Sequence, residues 1–262
     1  MKEVVLEFKQ RLNDFIAQLQ SYVADSNGNW KVRGFIDILK NIYTISNDTK
    51  IISKILEIHI FPALLKFSQE NNYRMEIAAK QNYYPDITFV NTKNNKIKFA
   101  VDLKTTYRRG KGICNGFTLG SHGEYFVDRT SRKNIQYPYS EYAAHFCLGI
   151  IYDRGRRQVD ETQIYPLNAL TTIPSVATNF LFFLAEKWKI ASDKGGSGNT
   201  ANIGSIKNID DLLNEKGIFV PHGEQVFDDY WMNYGKITIP DGTGGMKKIV
   251  TLSDFLTYKN LH

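Results

Sequence analysis

Two aspartates and a lysine carry the strongest chemical signal in the chain: Pro85-Asp86, and further on Asp102-Leu103-Lys104. Carboxylates held close together repel unless they are protonated or bridged by a cation. Oxygen ligands with room for waters suit Mg²⁺, which binds through one or two carboxylates and the phosphates of its substrate. Such an ion polarises a phosphodiester and acidifies a bound water. An ammonium at Lys104 would hold or help deprotonate that water and offset charge on the phosphate. The constellation points to phosphodiester hydrolysis, with Asp86 and Asp102 as metal ligands and Mn²⁺ able to stand in for Mg²⁺. The pattern is short, however, and a hairpin carrying solvated charges produces it equally.

Bringing these groups together is the task of a hairpin. DITFV and KIKFAVDLK are β-prone runs separated by the turn-rich Asn91-Thr92-Lys93-Asn94-Asn95. If the turn centres on Asn94, residues 86 and 102 face each other across an antiparallel pair, with Cβ atoms about 5 Å apart. Asp102 and Lys104 lie two apart on one strand, so both side chains emerge on one face.

Around this hairpin the periodicity is mixed. Leu12, Phe15, Ile16, Leu19, Tyr22 and Val23 fall at helical spacing. KVRGFIDILKNIYTI reads as strand material. A second helix is expected from the cap residues Asn47-Asp48-Thr49, with Ile52, Ile55, Leu56, His59, Ile60 and Ala63 as its apolar stripe. FCLGIIYDR reads as a buried strand and NFLFFLAEKWKIA as an apolar helix running into a strand or loop. DDLLNEKG, EQVFDDYWMNY and SDFLTYKN read as short helices. The expected class is mixed α/β (α+β), a central mixed β-sheet flanked by helices.

Composition sets the bounds. At 262 residues with 42% hydrophobic and 23% charged residues, the chain has the profile of a soluble globular domain, and no composition shift divides it. No apolar run reaches the ~20 residues of a membrane span, so no membrane partner is expected. Cys114 and Cys147 have no paired spacing, which fits a reducing cytoplasm. The net charge of +6 favours a polyanionic partner only slightly. The histidines show no metal-ligand spacing with the cysteines. The glycine-rich segment from Gly195 to Gly204 lacks the ending of a P-loop, and Ala201 stands where a dinucleotide motif needs its last glycine. No nucleotide cofactor is expected.

NYYPDITFV, VDLKTTY, FTLG, NIQYPYSEYAAH, EKWKIASDKGGSGNTANIGSI, EKGIF and DYWMNY, in that order, together resemble the EcoRV family of type II restriction endonucleases over roughly residues 45 to 235. The gap between the two aspartates is also the family's. The resemblance implies a restriction-endonuclease-like fold over one domain, 1–262, assembled as a homodimer around double-stranded DNA. Dimerisation would fall near 28–46 and DNA binding with catalysis near 47–235. It implies Mg²⁺-dependent cleavage within a short palindrome, GATATC on the retained loop, with a blunt central cut. By position Asp86, Asp102 and Lys104 match the family's catalytic triad, and Glu57 an acidic helix residue near the catalytic centre and its metal. From sequence alone Glu57 lies beside the core stripe and reads equally as a surface carboxylate, and Asp48 as a helix cap.

Gly196, Ser197, Gly198, Asn199 and Thr200 resemble the family's major-groove recognition loop, where Asn199 has the geometry for a bidentate contact to adenine. Ala201 departs from the family's threonine there. Gln81 and Asn82 resemble a minor-groove loop, in which Lys80 replaces a glutamine and suits a phosphate contact. Thr105 and Thr106 resemble backbone-contacting residues, although β-branched residues on a strand are also ordinary strand formers. Two other readings stay open: a repair or junction nuclease using the same hairpin, and a DNA-binding protein without catalysis. A purely binding role needs none of Asp86, Asp102 and Lys104.

Overall fold

The computed structural model describes residues 1–80, 82–155, 159–196 and 201–261. Helix α1 (Lys2–Ile16) and the short α2 (Leu19–Val23) open the chain. A hairpin follows, β1 (Gly34–Ile36) and β2 (Asn41–Thr44), then the long helix α3 (Thr49–Glu70). Strands β3 (Tyr73–Ile77), β4 (Ile87–Asn91) and β5 (Lys98–Gly110) run on into β6 (Ile113–Cys114), β7 (Thr118–Ser121) and β8 (Ala144–Arg154). The remainder comprises β9 (Ile164–Pro166), β10 (Ala177–Glu186), β11 (Ala191–Gly195), β12 (Asn202–Ser205), α4 (Ile209–Leu213), α5 (Glu224–Asn233), β13 (Thr238–Pro240), β14 (Met246–Lys248) and α6 (Leu252–Lys259).

The central sheet has the order β10-β8-β5-β4-β3, with β6 as a side partner of β5. Only β5 and β8 run parallel, from Phe99 opposite Ala144 to Tyr107 opposite Tyr152; the other pairs are antiparallel. The class is therefore mixed α+β with a mixed sheet, as the sequence implies. Among the described residues there are three smaller sheets, β1-β2-β9, β11-β12-β7 and the two-stranded β13-β14.

The sheet is covered on both faces, and this explains the buried strands. One face packs on α1, α2 and α3 through Phe8, Leu12, Leu19, Ile52, Leu56, Ile60 and Leu64 against Phe99, Val101 and Leu103. Phe8 stacks on Phe99 with ring centroids 4.0 Å apart. The other face packs Ala100, Cys147, Ile151 and Phe183 against Phe117, Leu119, Phe126, Phe227 and Trp231. Asp48 caps α3 as expected, its Oδ1 accepting from the backbone N–H groups of Lys50 at 2.8 Å and Ile51 at 3.2 Å.

One expectation is overturned. Residues 177–186 form strand β10, paired antiparallel with β8, and not a helix. Phe180 and Leu184 join the helix-side cluster while Phe183 and Ala185 join the other. A strand covered on both faces reads as a continuous apolar run, in which the two-residue period disappears. The N-terminal helix also begins well before the Leu12 at which its apolar spacing starts, at Lys2, and it breaks at Ala17–Gln18 before α2.

Candidate active site

The β4–β5 hairpin sets the site. Asn91 Oδ1 accepts from the N–H groups of Lys93 at 2.9 Å and Asn94 at 3.0 Å, which closes the turn. The register runs from Val90 opposite Lys98 to Ile87 opposite Val101. One further step brings Asp86 opposite Asp102. The segment before β4 is clamped from the side: Tyr84 N–H donates to Asn134 O at 3.0 Å, and the Gln136 side chain donates to Pro85 O at 2.6 Å.

The three predicted groups converge. Lys104 Nζ lies 2.7 Å from Asp102 Oδ2 and 3.7 Å from Asp86 Oδ2. Leu103 N–H donates to Asp86 Oδ2 at 2.7 Å, tying one carboxylate to the strand that carries the other. Burial pushes the Asp86 carboxyl up to about 7, with Lys104 opposing and Asp102 reinforcing. Burial alone would lower the Lys104 ammonium, but Asp102 and Asp86 beside it overrule this and hold it above the usual lysine range. One ammonium therefore does not neutralise the pair. Asp86 is fully ionised at neutral pH only with further positive charge beside it.

Two cavities meet at Asp86. The first, about 540 Å³, is lined by Asp86, Asp102, Lys104, Gly120, Tyr84 and Tyr125 among others. Asn82 and Asn202 also face it. The second, about 650 Å³, opens on the helix side between the N-terminal part of α3 and Thr105, and it takes in Lys50, Lys54, Glu57 and Lys80. Glu57 thus shares a cavity with Asp86, yet its Oε1 pairs with Lys54 Nζ at 2.6 Å. Among the described residues no three acidic, histidine or cysteine side chains gather into one metal-holding group. The donor set of the first cavity is the Asp86 and Asp102 pair, and two carboxylate donors with an unmet need for positive charge fit a hard divalent ion that keeps its waters.

Other predicted residues are dispersed. Asn82 Nδ2 donates to Asn134 Oδ1 at 3.1 Å at the cavity rim. Thr105 lines the second cavity, whereas Thr106 points into the core and is 2% exposed. Gly196 N–H donates to Asn202 O at 2.7 Å at the base of the β11–β12 hairpin. Gln81, Ser197, Gly198, Asn199 and Thr200 lie outside the described residues. Their flanking residues Ala201 and Asn202 border the first cavity. The base of that hairpin is fixed from the C-terminal side, where Tyr230 Oη donates to Asp193 O at 2.8 Å and Leu252 N–H to Asp193 Oδ2 at 3.1 Å. Sequence reading singled out none of Lys54, Gly120, Tyr125 and Lys187 as site residues, although FTLG contains Gly120 and EKWKIA contains Lys187; they reach the site through tertiary packing.

A family model described as restriction endonuclease EcoRV matches residues 26–260. The protein is a site-specific deoxyribonuclease of the restriction type. The type II restriction enzyme EcoRV of Escherichia coli is 38% identical over 211 residues, covering 80% of this chain and 84% of that protein. The chain belongs to the EcoRV restriction endonuclease family. The family match reaches past the 45–235 block carried by the motifs at both ends and takes in the last helix, α6. Among solved structures, the NlaIV restriction endonuclease is similar at a TM-score of 0.42 and 12% identity, with 85% of each chain covered.

Proposed function

We propose that the protein cleaves double-stranded DNA at the palindrome GATATC, as a Mg²⁺-dependent homodimer that leaves blunt ends. The observation carrying this reading is the convergence of Asp86, Asp102 and Lys104 in an open cavity. Asp86 and Asp102 would hold the ion, with Glu57 approaching from the adjoining cavity. When bound, Mg²⁺ supplies the charge that polarises the phosphodiester and acidifies a water, and Mn²⁺ offers the same donor preference. Lys104, kept protonated by its two neighbours, donates hydrogen bonds and holds a water or phosphate oxygen, without itself taking the proton. The Leu103 N–H fixes the Asp86 rotamer, so the donor pair is in place before DNA arrives.

Gly196 and the segment 197–200 would read base edges in the major groove, with Gln81 and Asn82 in the minor groove. Thr105, facing the second cavity beside Lys50 and Lys80, suits a phosphate contact. A dimer is supported by the β1-β2-β9 sheet, which presents Phe35, Ile36, Ile38, Leu39 and Ile164 to solvent, Ile38 at 98% exposure. Unburied apolar side chains in one patch mark an interaction surface. A twofold protein matches a twofold site, one strand per subunit.

The test is digestion of a plasmid of known sequence with Mg²⁺ and sequencing of the ends. Blunt ends at the centre of GATATC are expected. No cleavage, staggered ends or cutting confined to branched DNA would overturn the corresponding part.

A further inference from the structure

Lys187 follows the last residue of β10 and is 3% exposed. The preceding Glu186 turns outward into a cluster with Lys9 at 3.2 Å and Lys189 at 2.6 Å, so strand alternation sends Lys187 inward. Its Nζ is buried and has no hydrogen-bond partner among the described residues. Three rings surround it, Tyr84 at 5.0 Å, Phe126 at 5.3 Å and Tyr139 at 5.6 Å from Nζ to centroid. The quadrupoles of these rings attract a cation but do not replace its lost hydration.

The roof of this cage is the floor of the catalytic cavity. Gly120, at φ +93°, lies over the ammonium, and a Cβ placed there would sit 3.6 Å from Lys187 Nζ and 3.5 Å from Tyr125 Oη. Gly120, Tyr84 and Tyr125 line the same cavity as Asp86, Asp102 and Lys104. The charged groups that act on Lys187 are Asp102 and Lys104 from β5, Asp228 from α5, and Arg129. Asp228 is already taken by Arg129 at 2.7 Å. Burial lowers the ammonium to about 8, with Asp102 the first of the groups opposing this, so it remains mostly charged at neutral pH. A methionine would fill the cage without the desolvation cost. A cation kept in such a place costs stability, and its electrostatic return goes to the cavity above.

We propose that Lys187 is a positioning residue for strand cleavage, a fixed positive charge under the cavity floor that offsets the negative charge gathered there by Asp86, Asp102 and the substrate phosphodiester. This rests on the nuclease reading given above. Because the ammonium is sealed beneath Gly120, it acts through the field in a water-poor site and not by touching DNA.

Full-length wild type, Lys187→Met and Lys187→Arg are compared for thermal midpoint without divalent ion, and for kcat and KM on plasmid DNA with Mg²⁺. Lys187→Met is expected to melt no lower than wild type, to keep KM within about twofold, and to lose about tenfold or more in kcat. Lys187→Arg, which retains the charge, should cut faster than the methionine variant. Unchanged kcat in Lys187→Met overturns the proposal. So does a loss of activity accompanied by a lowered melting midpoint, or an arginine variant no faster than methionine. A wild type that cuts while the methionine variant cuts equally well sinks only this inference; a wild type that never cuts removes the nuclease reading and the inference with it.

Discussion

Replacing Asp86 by asparagine should stabilise the folded protein, and by an amount that grows with pH. Burial and the neighbouring Asp102, against the pull of Lys104, lift the Asp86 carboxyl from 3.8 to about 7. Between those values the folded chain retains a proton that the unfolded chain has released. Stability therefore falls as pH rises through this window, and the full loss is present above it. At about 1.4 kcal/mol for each tenfold change in proton affinity, the cost approaches about 4 kcal/mol at pH 8. Asparagine keeps an oxygen for the Leu103 N–H but gives up the attraction of Lys104, whose closer partner is Asp102 at 2.7 Å. The expected gain is about 2 to 4 kcal/mol at pH 8, about 1 at pH 5 and near zero at pH 3. Urea unfolding of both proteins in EDTA at the three pH values measures it. A difference independent of pH, or a variant less stable than wild type at pH 8, would refute the electrostatic argument.

Other outcomes are expected from the proposed function and from the packing. Lys104→Met should lower the cleavage rate by about 10²–10³-fold while metal-free DNA binding, read by gel shift, stays close to wild type. Asn199→Ala should reduce discrimination between the cognate site and a single mismatch by about 1–3 kcal/mol, seen as a smaller ratio of the two cleavage rates. Phe8→Ala removes a fully buried ring stacked on Phe99 and should cost about 3–5 kcal/mol in urea unfolding. The double change Ile38→Asp with Leu39→Asp, at the exposed turn between β1 and β2, should convert the proposed dimer to monomer in sedimentation with the melting midpoint little altered.

The hairpin was readable because local chemistry fixes it. Asn91 and Asn94 close the turn, and the resulting register puts residue 86 opposite 102. The same holds for the start of α3, where Asp48 caps two backbone donors. Strand β10 escaped because its two buried faces erase the alternation that marks a half-exposed strand. The floor of the site escaped for another reason. Tyr84, the Gly120–Tyr125 stretch and Lys187 come from three separate segments and meet only when β7, the residues after it and the end of β10 pack against the sheet. Glu57 was found by resemblance, but its pairing with Lys54 at 2.6 Å and its place in the second cavity needed coordinates.

The central claim is that Asp86 and Asp102 together gather the ion that makes the chain a nuclease. It is tested most directly by the initial rate of plasmid cleavage with Mg²⁺ for wild type, Asp86→Ala and Asp102→Ala. Cutting by wild type with no detectable cutting by either variant is the predicted result. An alanine variant that cuts at the wild-type rate would contradict the account.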